Sequence, residues 1–230
     1  MSSYTRILMQ GTWENPTSKL VKAALESAVQ EQVLPTHISL IIGMSGLWYR
    51  EFINKLIKSM PDPRYLEIGS WSGSTACSAI YRNKLTATCI DNWSEFGGPR
   101  DEFFKNIESN TNKNVNFSFI ESDFRQVDYA AIGTYNVYLF DGPHEYQDQK
   151  DGITIAQPAL DDTYVLIVDD YNWEKVREGT LDGIKDLGHT IVDYIEIRTT
   201  EDNSHPHIPN HYSNWHNGYF IAVISKNSKV

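Results

Sequence analysis

Residues 65–75 read Tyr-Leu-Glu-Ile-Gly-Ser-Trp-Ser-Gly-Ser-Thr, and they are the most informative segment of the chain. A short apolar run is followed by a loop with two glycines and then by Ser74 and Thr75, where a helix can begin. Glycine lets the backbone turn sharply and lets a ligand approach it closely. The unpaired N–H groups of the first helical turn would face the same place. The stretch therefore predicts a strand, a ligand-binding loop and a helix.

The spacing of the two glycines separates this loop from phosphate-binding loops. Gly69 and Gly73 form a Gly-x-x-x-Gly pattern, without the Gly-x-Gly-x-x-Gly of dinucleotide-binding folds or the Gly-Lys-Ser/Thr ending of a P-loop. The pattern therefore disfavours NAD and ATP. Glu67, just before the first glycine, suits a cationic part of a ligand, such as an amino group. An ordinary glycine turn without a ligand is the alternative.

After this stretch the chain follows a regular alternating pattern. Short apolar segments rich in β-branched and aromatic residues alternate with helix-sized gaps, at residues 86–90, 117–120, 136–140 and 164–168. Two final strands are predicted near residues 190–197 and 218–224. Repeated strand–helix units form a parallel sheet with helices on both faces, so the predicted fold class is α/β.

The first 60 residues are predicted to form a helical lead-in. Apolar residues recur at helical spacing in residues 17–33 and 47–58, and Pro61 stops the second helix. We expect residues 1–60 to pack on a core formed by residues 61–230. Residues 1–230 would then form a single domain, which is long enough to bury a full sheet-and-helix core.

Acidic residues follow the predicted strands. Open α/β sheets bind ligands at the carboxyl ends of their strands. Asp91, at the end of the second strand, can accept hydrogen bonds from two ribose hydroxyls. Asp123 and Phe124, after the third strand, offer a carboxylate for an adenine amino group and a ring for its face. Either aspartate alone could be a strand-end cap, but the combined placement indicates an adenosine-containing ligand.

Several segments together resemble the successive motifs of class I S-adenosylmethionine-dependent methyltransferases. They are residues 65–75, 89–93, 120–124 and 137–144, and the resemblance covers about residues 40–190. Residues 140–146 and 168–171 are similar to the macrocin-type branch of small-molecule O-methyltransferases. Residues 43–46 resemble the segment that closes over the methionine end of the cofactor in catechol-type O-methyltransferases.

The resemblance implies a Rossmann-like, doubly wound, mostly parallel sheet of seven strands, with helices on both faces and the last strand antiparallel. It also implies a methyltransferase domain with S-adenosylmethionine as cofactor. The predicted cofactor-binding residues are Met44, Glu67, Gly69, Ser70, Trp71, Gly73, Ser74, Asp91, Asn92, Asp123, Phe124 and Asp141.

Three carboxylates are predicted at the ends of two neighbouring strands. Asp141 ends the fourth strand, and Asp169 and Asp170 end the fifth. Neighbouring strands lie about 4.8 Å apart, and converging carboxylates repel unless they are protonated or bind a metal. Oxygen ligands suit a divalent cation, with Mg²⁺ expected first. The resemblance to catechol-type and macrocin-type enzymes also implies a divalent cation at this position. A solvated acidic rim, with Asp169 or Asp170 capping the next helix, is the alternative.

His144 lies three residues beyond Asp141 and is the predicted general base. A neutral imidazole there could take the proton of an attacking hydroxyl. We therefore predict His144 and Asp141 as the catalytic residues. A histidine that only forms a local hydrogen bond is the alternative.

Composition limits the partners of the chain. The net charge is −10, which disfavours nucleic acid because phosphate backbones are bound by clustered Lys and Arg. Cys77 and Cys89 are expected to be buried, reduced thiols. No stretch approaches the ~18 apolar residues that span a bilayer, so we expect no membrane association and a cytoplasmic location. The oligomeric state stays open, a homo-oligomer included.

A histidine-rich segment near the end of the chain has no compact zinc-binding spacing. It contains His205, His207, His211 and, further on, His216. We interpret it as a substrate-facing or surface loop.

The predicted function is S-adenosylmethionine-dependent O-methylation of a small hydroxylated acceptor, assisted by a divalent cation. Two alternatives are a Rossmann-type oxidoreductase and a non-catalytic module that binds S-adenosylmethionine. The missing Gly-x-Gly-x-x-Gly pattern counts against the first, and the acidic residues and His144 would have no chemical role in the second.

Overall fold

One eight-stranded sheet runs through the protein, whose computed structural model describes residues 4–207 and 213–226. The order of its strands is β1-β7-β8-β6-β5-β2-β3-β4. The strands are β1 (Arg6–Gln10), β2 (Arg64–Ile68), β3 (Leu85–Asp91), β4 (Val115–Glu121), β5 (Tyr135–Phe140), β6 (Leu160–Val168), β7 (Thr190–Arg198) and β8 (Tyr219–Ser225). The helices are α1 (Pro16–Gln30), α2 (Thr36–Ser39), α3 (Leu47–Ser59), α4 (Ser74–Ile80), α5 (Arg100–Asn110), α6 (Tyr146–Ile155) and α7 (Glu174–Asp186).

The centre of the sheet is parallel, and the predicted α/β Rossmann-like fold is confirmed. Strands β4, β3, β2, β5 and β6 pair in parallel in that order. The last strand, β8, is antiparallel to both of its neighbours, β6 and β7.

The predicted number of seven strands is wrong, because β1 adds an eighth at the edge of the sheet. β1 lies within the first 60 residues, which were predicted to be helical, and it pairs antiparallel with β7. It has only five residues, and most of them are exposed. Its sequence, Arg-Ile-Leu-Met-Gln, has three apolar residues in a row instead of an alternation of apolar and polar residues. The strand forms through backbone pairing with β7, which a local sequence pattern does not reveal.

Two apolar cores lie on opposite faces of the sheet. Val137 and Leu139 of β5 face the core that contains α1, α3, α4 and α5, whereas Tyr138 and Phe140 face the core beneath α6 and α7. This alternation follows from the two-residue period of a strand. Among the described residues, no helix has the length and apolar character required to cross a membrane.

The strand register brings the predicted site residues to one edge of the sheet. Ile68 pairs with both Ile90 and Phe140, and Phe140 pairs with Val168, so β2, β3, β5 and β6 end at the same level. The ladder continues one residue further, where the Asp141 N–H donates to the Ile68 carbonyl oxygen at 2.9 Å. Backbone pairing therefore places the residues that follow these four strands side by side at one edge of the sheet.

Candidate active site

A cavity of about 260 Å³ lies at the carboxyl ends of the parallel strands. Open α/β sheets bind their ligands at this edge. The predicted site residues that line it are Met44, Gly69, Trp71, Asp91, Asn92, Asp123, Phe124, Asp141, His144 and Asp170. The structure thus brings most of the predicted cofactor residues and part of the predicted metal site into one cavity.

Gly69 is required by a close approach of two backbones. Its φ is +85°, and a Cβ atom there would lie 1.8 Å from the Asp141 carbonyl oxygen. The sequence analysis assigned the glycine to the approach of a ligand. The structure adds a second reason, since any side chain would push apart the ends of β2 and β5.

Asp91 ties together two loops at the cavity wall. One carboxylate oxygen accepts the Trp71 N–H at 2.8 Å, and the other accepts the Trp93 N–H at 2.7 Å. Each carboxylate oxygen has a further lone pair, so Asp91 can still accept ligand hydroxyls. Asp123 similarly accepts the Arg125 N–H at 2.8 Å while it lines the cavity.

Four predicted cofactor residues do not line the cavity: Glu67, Ser70, Gly73 and Ser74. Glu67 is fully buried behind the glycine loop, where it accepts the Tyr65 hydroxyl at 2.5 Å and the Thr75 hydroxyl at 2.7 Å. Burial raises the pKa of Glu67 to about 7, although these hydrogen bonds oppose the shift. Glu67 therefore supports the loop from below.

Arg50 is a structural residue that the sequence analysis missed. It is 1% exposed and holds the segment that carries Met44. Its guanidinium donates to the Ser45 hydroxyl at 2.9 Å and to the Ile41 carbonyl oxygen at 2.7 Å. These are neutral acceptors, and burial lowers the pKa of Arg50 to about 10. No local pattern distinguishes this arginine from a surface residue of α3.

Asp141, His144 and Asp170 form the most polar part of the cavity, and we call them the acidic group. One potential ligand atom of each lies within 4.8 Å of those of the other two. The His144 Nε2 atom is 2.9 Å from Asp170 Oδ2 and 3.6 Å from Asp141 Oδ1. The Asn217 amide donates to the other oxygen of Asp170 at 2.8 Å.

The two carboxylates beside His144 favour its charged form, whereas the general-base role predicted from the sequence needs the neutral ring. Burial lowers its pKa, but Asp141 and Asp170 outweigh that effect and raise the pKa to about 10. Burial raises the pKa of Asp141 to about 6, whereas His144 overcomes the effect of burial and lowers the pKa of Asp170. An imidazolium at this position balances the carboxylates and cannot accept a proton.

Asp169 is not part of the acidic group. It is buried outside the cavity lining, and its carboxylate accepts the Asp170 N–H at 2.6 Å. Burial and the negative charge of Asp141 raise the pKa of Asp169 well above its usual range. The acidic group therefore contains two of the three predicted carboxylates and His144, while the Asp169 carboxyl group contacts that of Asp141 from outside the cavity lining.

Four further aromatic residues of the cavity wall were not among the predicted site residues: Phe96, Trp173, His205 and His216. Trp173 packs edge-on against His144, with ring centroids 5.0 Å apart. Burial lowers the pKa of His216 to about 4. The signal for His205 and His216 was the histidine-rich segment, which was interpreted as a surface or substrate-facing loop, and Trp173 is one of the aromatic residues that follow the predicted strands. His211 of that segment lies outside the described residues.

Comparison with known proteins finds one matching family model and several structures of similar fold. The family model of a methyltransferase domain matches residues 66–171. Podospora anserina methyltransferase PaMTH1, bound to S-adenosylhomocysteine (SAH), is 11% identical with a TM-score of 0.59, over 94% of this chain and 98% of that one. A Bacillus cereus O-methyltransferase in complex with SAH is 14% identical with a TM-score of 0.51, over 90% and 91%.

Pyrococcus horikoshii PH1948, a proposed RNA methyltransferase, is 12% identical with a TM-score of 0.53, over 93% of this chain and 99% of that one. Three longer structures also match, and this chain spans about half the length of each. No curated protein matches the sequence. At these low identities, the likeness of the structures shows a common fold.

Proposed function

We propose that this chain methylates an oxygen of a small hydroxylated acceptor with the help of a divalent cation. The fold and the family match together support an S-adenosylmethionine-dependent methyltransferase. One observation carries the proposal. The acidic group lies in the same cavity as Asp91 and Asp123, the acidic residues suited to an adenosine-containing cofactor.

The lining of the cavity fits S-adenosylmethionine better than a dinucleotide. Asp91 suits the ribose hydroxyls, Asp123 the adenine amino group, and Phe124 the adenine face. Among the described residues, no Lys or Arg lines the cavity, so it offers no cation to a pyrophosphate. This favours the transferase over the oxidoreductase alternative.

The acidic group fits a divalent cation. Two carboxylates and one imidazole supply three ligand atoms close together, and the remaining positions can be filled by water and an acceptor oxygen. Carboxylates suit Mg²⁺ and Mn²⁺, whereas imidazole is a better ligand for transition metals. Mg²⁺ is the cation expected from the sequence, and His144 adds a reason to consider Mn²⁺.

The bound groups would supply an electrophilic methyl group on a sulfonium and a positive charge that lowers the pKa of the acceptor hydroxyl. The chain itself contributes mainly position, since an in-line displacement needs little covalent help. Asp141 and Asp170 would hold the positive charge of the cation at the cavity. The Asn217 amide orients one oxygen of Asp170 by donating to it. Trp173 packs against the His144 ring and limits access of water to it.

A small acceptor is favoured over RNA. The acidic residues that line the cavity are Asp91, Glu95, Asp123, Asp141 and Asp170. Together with the net charge of −10, they would repel a phosphate backbone.

The test is an assay of SAH formation by the purified chain with S-adenosylmethionine and a panel of phenols, polyols and sugars. We expect turnover with Mg²⁺ or Mn²⁺, loss of turnover with EDTA, and recovery when excess cation is added. Asp141→Asn should lower the rate, whereas Asp162→Asn, at an exposed position near the start of β6, should not.

Calorimetry separates the cofactor from the cation. SAH should bind the native chain, and Asp91→Asn should weaken binding by about tenfold, the scale of one lost ligand hydrogen bond. SAH binding without turnover of any acceptor would favour the non-catalytic module. Undiminished turnover in EDTA would contradict the role of the cation.

A further inference from the structure

The strand β1 lies at one edge of the sheet and has a strand partner on one side only. It pairs with β7, and no other strand in the described part of the chain pairs with it. Four of its five residues are exposed. An edge strand keeps a row of backbone N–H and C=O groups with which a strand from another molecule can pair. β1 therefore offers such a row at the surface of the protein.

Two side chains of β1 extend an apolar core to this edge. Ile7 pairs with Ile197, and Met9 pairs with Ile195. Directly opposite residues of an antiparallel pair point to the same face of the sheet, and both isoleucines are fully buried in the core that contains α1 and α3. Ile7 and Met9, by contrast, are 42% and 36% exposed. The core therefore ends at β1 in two apolar side chains that remain partly in water.

The opposite edge of the sheet, β4, differs from β1. The exposed residues of β4 are polar, namely Asn116, Ser118 and Glu121. Glu121 also forms an ion pair with Arg100 at 3.0 Å. Charged residues and proline are the usual protection of an edge strand against pairing with another chain. β1 has no proline and no acidic residue, and its one charged residue, Arg6, is at its end.

The sequence of β1 is complementary to itself in one antiparallel register. When two copies of β1 are centred on Leu8, all five residues pair, with Ile7 opposite Met9 and Arg6 opposite Gln10 of the second copy. No like charges face each other, and the amide oxygen of Gln10 can accept a hydrogen bond from the Arg6 guanidinium. Every shifted register pairs fewer residues. An interface with two-fold symmetry requires a surface that is complementary to itself, and β1 meets this requirement.

The charge of the chain also favours β1 as the place where two copies meet. Each copy carries a net charge of −10, so most of their surfaces repel each other. β1 contributes no negative charge to a contact. Glu196, which lies opposite Leu8 on β7, is 3.9 Å from Arg198 and is balanced by it.

We propose that two copies of this chain associate through β1, which pairs antiparallel with β1 of the second copy around Leu8 and joins the two sheets into one. Backbone hydrogen bonds would supply affinity, and Ile7 of each copy would cover Met9 of the other. Each copy contributes a single short strand, so we expect association at micromolar rather than nanomolar concentrations. The inference does not depend on the proposed function, because no residue of β1 lines the cavity.

Sedimentation velocity of the purified chain tests the association directly. At about 150 mM salt we expect the mean mass to rise from that of one chain toward that of two between about 5 and 500 µM. The matched control is the double variant Asn116→Lys, Ser118→Lys, which places two charges on the opposite edge. It should associate like the native chain.

Charged substitutions at Ile7 and Met9 test the register, because these positions face each other across the proposed interface. The double variant Ile7→Lys, Met9→Lys places like charges opposite each other and should remain monomeric at about 500 µM. The double variant Ile7→Lys, Met9→Glu places opposite charges there and should associate about tenfold more tightly than the first, or better. Both variants lose the same two apolar side chains. The first is less negative overall, so general repulsion between copies would favour the reverse order.

A disulfide at the centre of the interface gives a second test. In the proposed register the Cα atoms of the two Leu8 residues lie about 4.5–5.5 Å apart, within the range that a disulfide spans. Leu8→Cys should therefore form a covalent dimer under mild oxidation, while the native Cys77 and Cys89 are buried and should not react. In Ile7→Cys the corresponding Cα atoms would lie about 8 Å apart, too far for a disulfide, so this variant should not cross-link.

Each experiment has a result that overturns the inference. These results are a monomeric native chain at about 500 µM, equal association of the two charged variants, and cross-linking of Ile7→Cys as readily as of Leu8→Cys. Loss of the dimer in the β4 control would assign the contact to the other edge. If circular dichroism shows that the charged variants do not fold, the two cysteine variants decide, since each changes a single residue. None of these measurements requires an acceptor, so their outcome is separate from that of the proposed function.

Discussion

The His144 Nε2 atom lies 2.9 Å from Asp170 Oδ2, so a positive side chain from the loop after β5 meets a carboxylate that follows β6. Asp141, the third member of the group, is 3.6 Å from the same nitrogen. The opposed charges hold the ends of two neighbouring strands in a defined relation. The same atoms are the proposed ligands of the cation. A proton and a metal ion therefore compete for the Nε2 atom of His144.

Replacing His144 with Gln should therefore destabilise the chain when no cation is present. Two carboxylates would face each other without a positive charge, and breaking a buried ion pair costs about 3–5 kcal/mol. We expect the free energy of unfolding, measured with urea at pH 7 in EDTA, to fall by about 3 kcal/mol. Turnover should fall as well, because the proposed cation would lose one of its three ligands from the chain. Lys175→Gln breaks the exposed pair with Glu145 and should cost under about 1 kcal/mol. Equal stability of the two variants would contradict the charge assigned to His144.

Gly69→Ala tests the contact between the ends of β2 and β5. Its Cβ atom would lie 1.8 Å from a backbone oxygen, whereas Gly133, with φ +96°, has no atom within 4 Å of the same position. Gly133→Ala should cost only the strain of the backbone conformation, about 1–2 kcal/mol. Gly69→Ala should cost more than about 4 kcal/mol and abolish SAH binding. Thermal melting and calorimetry measure both effects, and similar losses in the two variants would exclude the steric explanation.

Glu67 should make the native chain less stable as pH rises. Burial raises its pKa from 4.5 to about 7, so the folded state binds the proton more tightly than the unfolded chain. Its contribution is fully present below about pH 4.5 and is lost as pH rises to about 7. At about 1.4 kcal/mol per pKa unit, the loss approaches about 3 kcal/mol.

Glu67→Gln, which stays neutral, should remove this dependence. The difference in unfolding free energy between the variant and the native chain should grow from pH 4.5 to pH 7.5, as followed by urea denaturation. Glu121→Gln, at an exposed position at the end of β4, should leave the dependence unchanged. Parallel pH profiles for the native chain and Glu67→Gln would show that the pKa of Glu67 does not differ between the folded and unfolded chain.

The parallel core and its ligand-binding edge could be predicted because their signals are local. The apolar runs have the length of strands, and an acidic residue follows most of them, as Asp91 follows Cys89 and Ile90 of β3. The side of the strand that Glu67 faces was also within reach of the sequence. Leu66 and Ile68 pack into one core and Tyr65 into the other, so the two-residue period places Glu67 on the side of Tyr65 and α4.

Other parts of the site depend on contacts that no local pattern contains. Asp169 and Asp170 are adjacent and chemically alike, and the left-handed backbone at Asp170, with φ +56°, gives only one of them to the cavity. Asn217 donates to Asp170 from 47 residues further along the chain, because β8 lies beside β6. The pairing of β1 with β7 is equally remote in sequence.

The acidic group and the two histidines of the cavity wall, His205 and His216, come from different parts of the chain, and this has a consequence for engineering. The acidic group belongs to the sheet edge, while His205 and His216 are carried by the connection between β7 and β8. A library that varies the connection alone, with residues 141, 144, 170 and 217 kept, would change one wall of the cavity without changing the acidic group. Selection from such a library could change the molecules that the cavity accepts while the acidic group and the proposed cation site stay unchanged.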